Sequence, residues 1–156
     1  MLKVGERAPE FSLPDQNGRD TSLTSLLNAG ALILWFFSGY STPTNLLAAR
    51  KIAELHPDLQ RQGLVIAGVS PQLSAAHRRM RDRHDLPFAL LSDAHRSVAR
   101  MYEVTGLLGI GVRRGTYLIS RGRMILGSVV DPIRISRHLD FMRAAPERVQ
   151  GAPLHF

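Results

Sequence analysis

The segment GYSTPTNLLAARKIAEL, residues 39–55, follows the apolar run ALILWFF at 31–37 and reads as a strand-to-helix turn. Thr42 is of the type that caps a helix and Pro43 suits the first helical position, which puts Asn45 in the first turn. There the N–H groups lack helical partners and the dipole is positive, so a thiol would ionise easily. Asn45 brings no sulfur; it offers one acceptor oxygen and two donor hydrogens, and Thr42 adds a hydroxyl. The whole chain has no cysteine, which removes disulfides, thiolate metal sites and thiol catalysis together. Other groupings fail on geometry. Ser92, Asp93 and His95 have the residue types of a nucleophile triad, but adjacency in sequence is not triad geometry. His77 and His84 on one helix would stand about 10 Å apart along its axis, whereas zinc holds nitrogen at about 2.1 Å. The glycines of GLLGIGVRRG, residues 106–115, precede a strand and do not lead from one into a helix, so a dinucleotide loop is not expected. No metal and no cofactor are expected.

The elements that hold these residues are readable from pattern. FSLPDQNGRDTSL, residues 11–23, has hairpin chemistry with Asn17-Gly18 at its turn, and residues 22–30 read as a short helix ended by Gly30. Residues 31–37 suit a strand buried on both faces; Ala48, Ile52, Leu55 and Leu59 then recur at helical spacing up to Gly63. A strand at 64–70, a helix from Pro71 to about His84, a strand at 88–93 and a helix near 96–102 continue the alternation. GTYLIS and MILGSVVD form a hairpin across RGR, followed by a last helix near 133–144, with the remainder, 146–156, expected to be loosely held. This order predicts an α/β, thioredoxin-like fold: a central mixed sheet flanked by helices, with an N-terminal hairpin extension, in one domain over 1–156.

Composition narrows the partners. Net charge is +7, with 18 arginines and 2 lysines, but only HRRMRDRH at 77–84 is locally dense. On a helix these side chains spread around the circumference with Asp82 among them, which reads as a solvated face, and nucleic acid is not an expected partner. No run approaches the roughly 18 apolar residues of a membrane span, so no membrane insertion is expected. MLKVGERAPEF lacks a signal-peptide pattern, making the cytoplasm the expected compartment.

Several segments together resemble one family. VGERAPEFSLPDQNGRDTSL, LILWFFSGYSTPTN, VIAGVS, LPFALLSDAHRSVARMYEV and RRGTYLIS, in that order over about residues 4–130, are similar to peroxiredoxins of the alkyl hydroperoxide reductase and thiol-specific antioxidant superfamily, in the bacterioferritin-comigratory branch. The resemblance implies that the family's Thr-Pro-x-x-Cys turn falls on Thr42, Pro43, Thr44 and Asn45, with its active-site arginine on Arg114. Asn45 then stands at the peroxidatic position and Arg50 at the alternative resolving position five residues on. Such a chain cannot pass through a sulfenic acid, so no thiol peroxidase activity is expected. The LLSD segment becomes a structural turn.

Three readings of the inherited pocket stay open. Asn45, Thr42 and Arg114, with Tyr40 as apolar wall and Trp35 more suited to the core, would bind a small polar or anionic ligand or receive a protein partner. A repurposed enzyme would run a non-redox step there. An assembly or regulatory subunit would pair with itself as a homodimer or with a relative. An open polar pocket around Asn45 favours the first two, and one filled by Tyr40 or Leu46 the third.

Overall fold

The computed structural model describes residues 1–152. A two-stranded antiparallel ribbon, β1 (Ser12–Pro14) and β2 (Asp20–Ser22), leads into α1 (Leu23–Ala29), which Ser22 opens with a reciprocal capping box to Ser25. The main sheet then builds from β3 (Ala31–Phe36), α2 (Pro43–Arg61), β4 (Leu64–Ser70), α3 (Ser74–His84), β5 (Ala89–Ser92), α4 (Ser97–Met101), β6 (Gly115–Ile119), β7 (Ile125–Val130), α5 (Ile135–Arg143) and α6 (Ala145–Gln150). Strand order is β5-β4-β3-β6-β7; β3, β4 and β5 run parallel, while β6 and β7 are antiparallel to their neighbours. This is the mixed thioredoxin-like sheet that the alternation predicts.

β3 lies at the centre with every residue buried, which is why its sequence is apolar without alternation. Its even residues Leu32, Leu34 and Phe36 meet α1, α4 and the ribbon, while Ile33 and Trp35 face α2 and α5. Two cores therefore share one strand. Trp35 stacks on Phe37 with ring centroids 4.0 Å apart. Burial of each such side chain contributes about 1.5–3 kcal/mol.

The turns at the α2–β4 end depend on close backbone approach. A Cβ on Gly30 would stand 2.1 Å from the Gly63 carbonyl oxygen, so only glycine fits. Gly63 itself takes φ +82, the left-handed turn that stops α2 and starts β4. Pro57 sits inside α2 on its exposed side, where it removes one ladder bond without ending the helix.

The tail corrects one expectation. Residues 145–150 form α6, with Ala145 and Pro146 buried and the Arg148 guanidinium 5.2 Å from the centre of the Phe141 ring. Pro146 initiates this helix, and the cation–π contact holds its outer face. Residues 153–156 of the tail expectation lie outside the described residues. None of the described helices is long and apolar enough to cross a membrane.

Candidate functional site

Leaving β3, the chain turns through Ser38 and Gly39 (φ +131) and enters α2 with Thr42 extended at the cap and Pro43 in the first turn. The Thr42 side chain makes no capping bond; its carbonyl instead receives the Asn45 N–H at 3.1 Å. Asn45 is buried and turns its amide away from the helix end: Nδ2 donates to Ser38 Oγ at 2.9 Å and to the Gly39 carbonyl at 2.7 Å. Oδ1 accepts from the Arg114 guanidinium at 2.7 Å. Both amide hydrogens and one lone pair are thereby used.

Arg114 arrives from the residue before β6, 69 positions along the chain from Asn45. It is 6 % exposed, and its other bonds go to Thr44 Oγ1 and the Pro132 carbonyl, both at 3.4 Å. Nε is buried without a partner. Every acceptor of this cation is uncharged. Burial lowers the guanidinium's pKa, against a smaller opposing effect of Asp131. The Asp131 carboxylate is occupied elsewhere: it accepts from the Ile133 and Arg134 N–H groups at 2.9 and 2.8 Å and pairs with Arg137 at 3.2 Å.

These residues border an open cleft of about 230 Å³. Its walls are Ser38, Thr42, Thr44 and Asn45 on one side and Val112 to Arg114 with Pro132 on the other. The Ser38 hydroxyl accepts from Asn45 and the Thr44 hydroxyl from Arg114, so each is left with its hydrogen free to donate. No carboxylate lines the cleft. It is a set of donors around a buried cation, the arrangement that receives an anion.

Of the expected contacts, Thr42, Asn45 and Arg114 meet here. Tyr40 does not, and that expectation is corrected: its ring packs edge-on to Phe37 and His77, and its hydroxyl bonds His77 Nδ1 at 2.8 Å. Trp35 is fully buried in the sheet and lines no part of the cleft. Ser38, Thr44, Val112, Arg113 and Pro132 also line the cleft without having been expected as contacts, and the two hydroxyls among them escape notice because a lone hydroxyl carries no spacing signal. Pro43 serves by fixing φ at the start of α2.

His77 departs from the solvated reading of α3. It is wholly buried, with Nε2 3.2 Å from Ser70 Oγ. Through Tyr40 it ties α3 to the cleft turn. Burial pushes its pKa down to about 4. His138 is likewise neutral: Nε2 donates to the Asp131 carbonyl at 2.8 Å, so Nδ1 accepts from Thr116 Oγ1 at 2.9 Å, and burial lowers its pKa. Asp93 caps α4, receiving the Val98 and Ala99 N–H groups at 3.2 and 2.9 Å, the structural turn expected of LLSD.

Acid should therefore act in two windows. His77 has a folded pKa below its ordinary 6.5, so the unfolded chain binds the extra proton and stability is lost as pH falls from 6.5 towards 4. Asp131 is depressed from 3.8 to about 2, chiefly by the Arg134 and Ile133 N–H groups, so its contribution disappears between those values. Urea unfolding across pH is expected to show both declines, and His77→Gln to shrink the first to the part that His138 contributes. An unchanged upper window in that variant would assign it to another group.

A model of the AhpC/TSA family matches residues 4–126. Peroxiredoxin Bcp of Escherichia coli is 30% identical over 145 residues, covering 89% of this chain and 92% of that protein. A bcp protein of Helicobacter pylori is 32% identical over 125 residues, covering 76% and 82%. The structure is similar to that of peroxidoxin BcpB from Mycobacterium tuberculosis, with TM-score 0.88 and 27% identity, over 96% of this chain and 99% of that one.

Proposed function

The chain belongs to the AhpC/TSA family, and on that premise we propose that it is a cysteine-less member that binds a small anion in the cleft where its relatives carry out peroxide chemistry. In this reading Asn45 stands at the position of the attacking cysteine. Its amide keeps the local framework by bonding Ser38, Gly39 and Arg114. It cannot attack a peroxide, form a sulfenic acid or be restored by a thiol. In this reading thiol-dependent peroxidase activity is absent for a chemical reason, since no residue of the chain carries a thiol.

The observation that carries the reading is the charge state of the cleft. A thiolate beside Arg114 would make a pair of opposite charges; Asn45 makes a buried cation with only neutral partners. A buried charge with no charged hydrogen-bond partner is costly even with Asp131 acting from nearby, and an anion entering the cleft lowers that cost. A carboxylate suits the site: its two oxygens can take the free hydrogens of Ser38 and Thr44 while its charge faces Arg114.

Titration calorimetry with acetate, formate and bicarbonate, at constant ionic strength set by a bulky anion, tests this. One or more of these anions is expected to bind with one-to-one stoichiometry and raise the melting temperature. Binding that is indifferent to the anion's shape, or no binding above the level of general salt effects, would defeat the reading.

A further inference from the structure

We propose that the rim of the cleft is a docking surface for an anionic lipid bilayer, reached by an apolar tip that the fold holds out in solvent. The loop between α4 and β6 closes through a bridge pairing Thr105 with Val112 and a bond from the Gly106 N–H to the Gly111 carbonyl at 3.1 Å. Beyond that closure stand Leu107, Leu108 and Ile110, which are 87 %, 88 % and 71 % exposed. Leu108 is held at φ +57, a left-handed conformation unfavourable for a branched side chain. The turn accepts that strain while pointing its leucines at water. Across the cleft Ile133, 81 % exposed, follows the lining residue Pro132. Four large aliphatic side chains on two neighbouring loops are therefore unburied at one end of the sheet.

Charge decides what covers them. Arg113 lies at the base of the first loop, its guanidinium fixed by the Thr105 and Glu103 carbonyls at 2.9 Å each. Arg134 follows Ile133, is exposed, and has no ion-pair partner among the described residues. A second copy of this chain would bring the same arginines together, and each chain carries +7. An anionic headgroup layer meets the arginines while the tip residues enter the acyl boundary, and the two terms act together. The residues protrude instead of lining a groove, which suits insertion into a fluid layer better than reception of a peptide. Contact of this kind needs no spanning helix and does not depend on what the cleft binds.

Co-sedimentation of the full chain with phosphatidylcholine vesicles, with and without phosphatidylglycerol, tests the inference. The bound fraction is expected to be at least about tenfold greater with phosphatidylglycerol and to fall as salt is raised. Replacing Leu107, Leu108 and Ile110 together by serine is expected to lower binding about tenfold or more, without changing the circular dichroism melt, because these side chains are already in water. Arg134→Glu, a single change on the opposite loop, is expected to weaken binding to the anionic vesicles alone. Equal binding to both vesicles, or none, would overturn the proposal. So would sedimentation equilibrium showing a dimer that the triple serine variant splits, since a second copy would then cover the tip.

Discussion

Replacing Arg114 with Met is expected to lower the affinity for small anions about a hundredfold, because charge-assisted hydrogen bonds to a buried guanidinium contribute about 1.5–3 kcal/mol and the one lining cation left, Arg113, has its guanidinium held by the Thr105 and Glu103 carbonyls. Met keeps the length of the stem, so the loss falls on the charge more than on packing. Asn45→Asp should reach a similar loss by the opposite change. A carboxylate at 45 would face the guanidinium that Oδ1 now meets at 2.7 Å and occupy the charge an incoming anion needs. Its second oxygen would also face the Gly39 carbonyl, where Nδ2 now donates at 2.7 Å, so the variant is expected to be less stable despite the new ion pair. Calorimetric titration of both variants, with melting temperatures recorded, checks the pair. Retained affinity in both would move the anion to Arg113 at the cleft mouth and refute the site.

What the sequence discloses about this cleft depends on how local each interaction is. The all-apolar run of β3, the Asn17-Gly18 hairpin and the Thr42-Pro43 helix start are contained in a few neighbouring residues, and each is readable because its cause is local. The Asn45–Arg114 bond spans 69 positions, and no periodicity connects the two residues. Only the family resemblance brought them together. Tyr40 is misleading for the same reason: a tyrosine two residues before a helix cap reads as pocket wall, and what turns it aside is His77, 37 positions on. His77 was in turn hidden by its surroundings, since a helix with arginines around its circumference gives no sign that one imidazole is satisfied by a serine at the end of β4. α6 was concealed because PERVQ has no apolar stripe; it is held by burial of Ala145 and Pro146 and by Arg148 over Phe141.

Asn45→Cys is expected to convert a protein with no hydroperoxide consumption into one that consumes it with a thiol reductant. The sulfur would enter the first turn of α2, near the place where Arg114 now meets Oδ1, and both the guanidinium and the helix dipole favour a thiolate there. That thiolate attacks one peroxide oxygen; the O–O bond breaks, the alcohol leaves with a proton, and sulfur is oxidised to the sulfenic acid. Two equivalents of added thiol then return it, one forming a mixed disulfide with release of water and the second displacing the protein thiol as the reductant becomes a disulfide. The structure favours success in one more respect: Ser38 and Thr44 have hydrogens to offer the peroxide, and Tyr40 is held out of the cleft by His77. Consumption followed by a peroxide-specific dye, in the unaltered chain and in the variant, separates the cases. Turnover by the unaltered chain would refute the loss of peroxidase chemistry. Turnover by the variant alone would mean that one side chain, with its charge, separates this cleft from a peroxidase, and that the geometry around Arg114 has been kept for an anionic ligand of similar size. Inactivity of a folded variant whose thiol titrates near an ordinary 8.5 would mean instead that Arg114 no longer acts on position 45, and the anion site would then have to be explained without it.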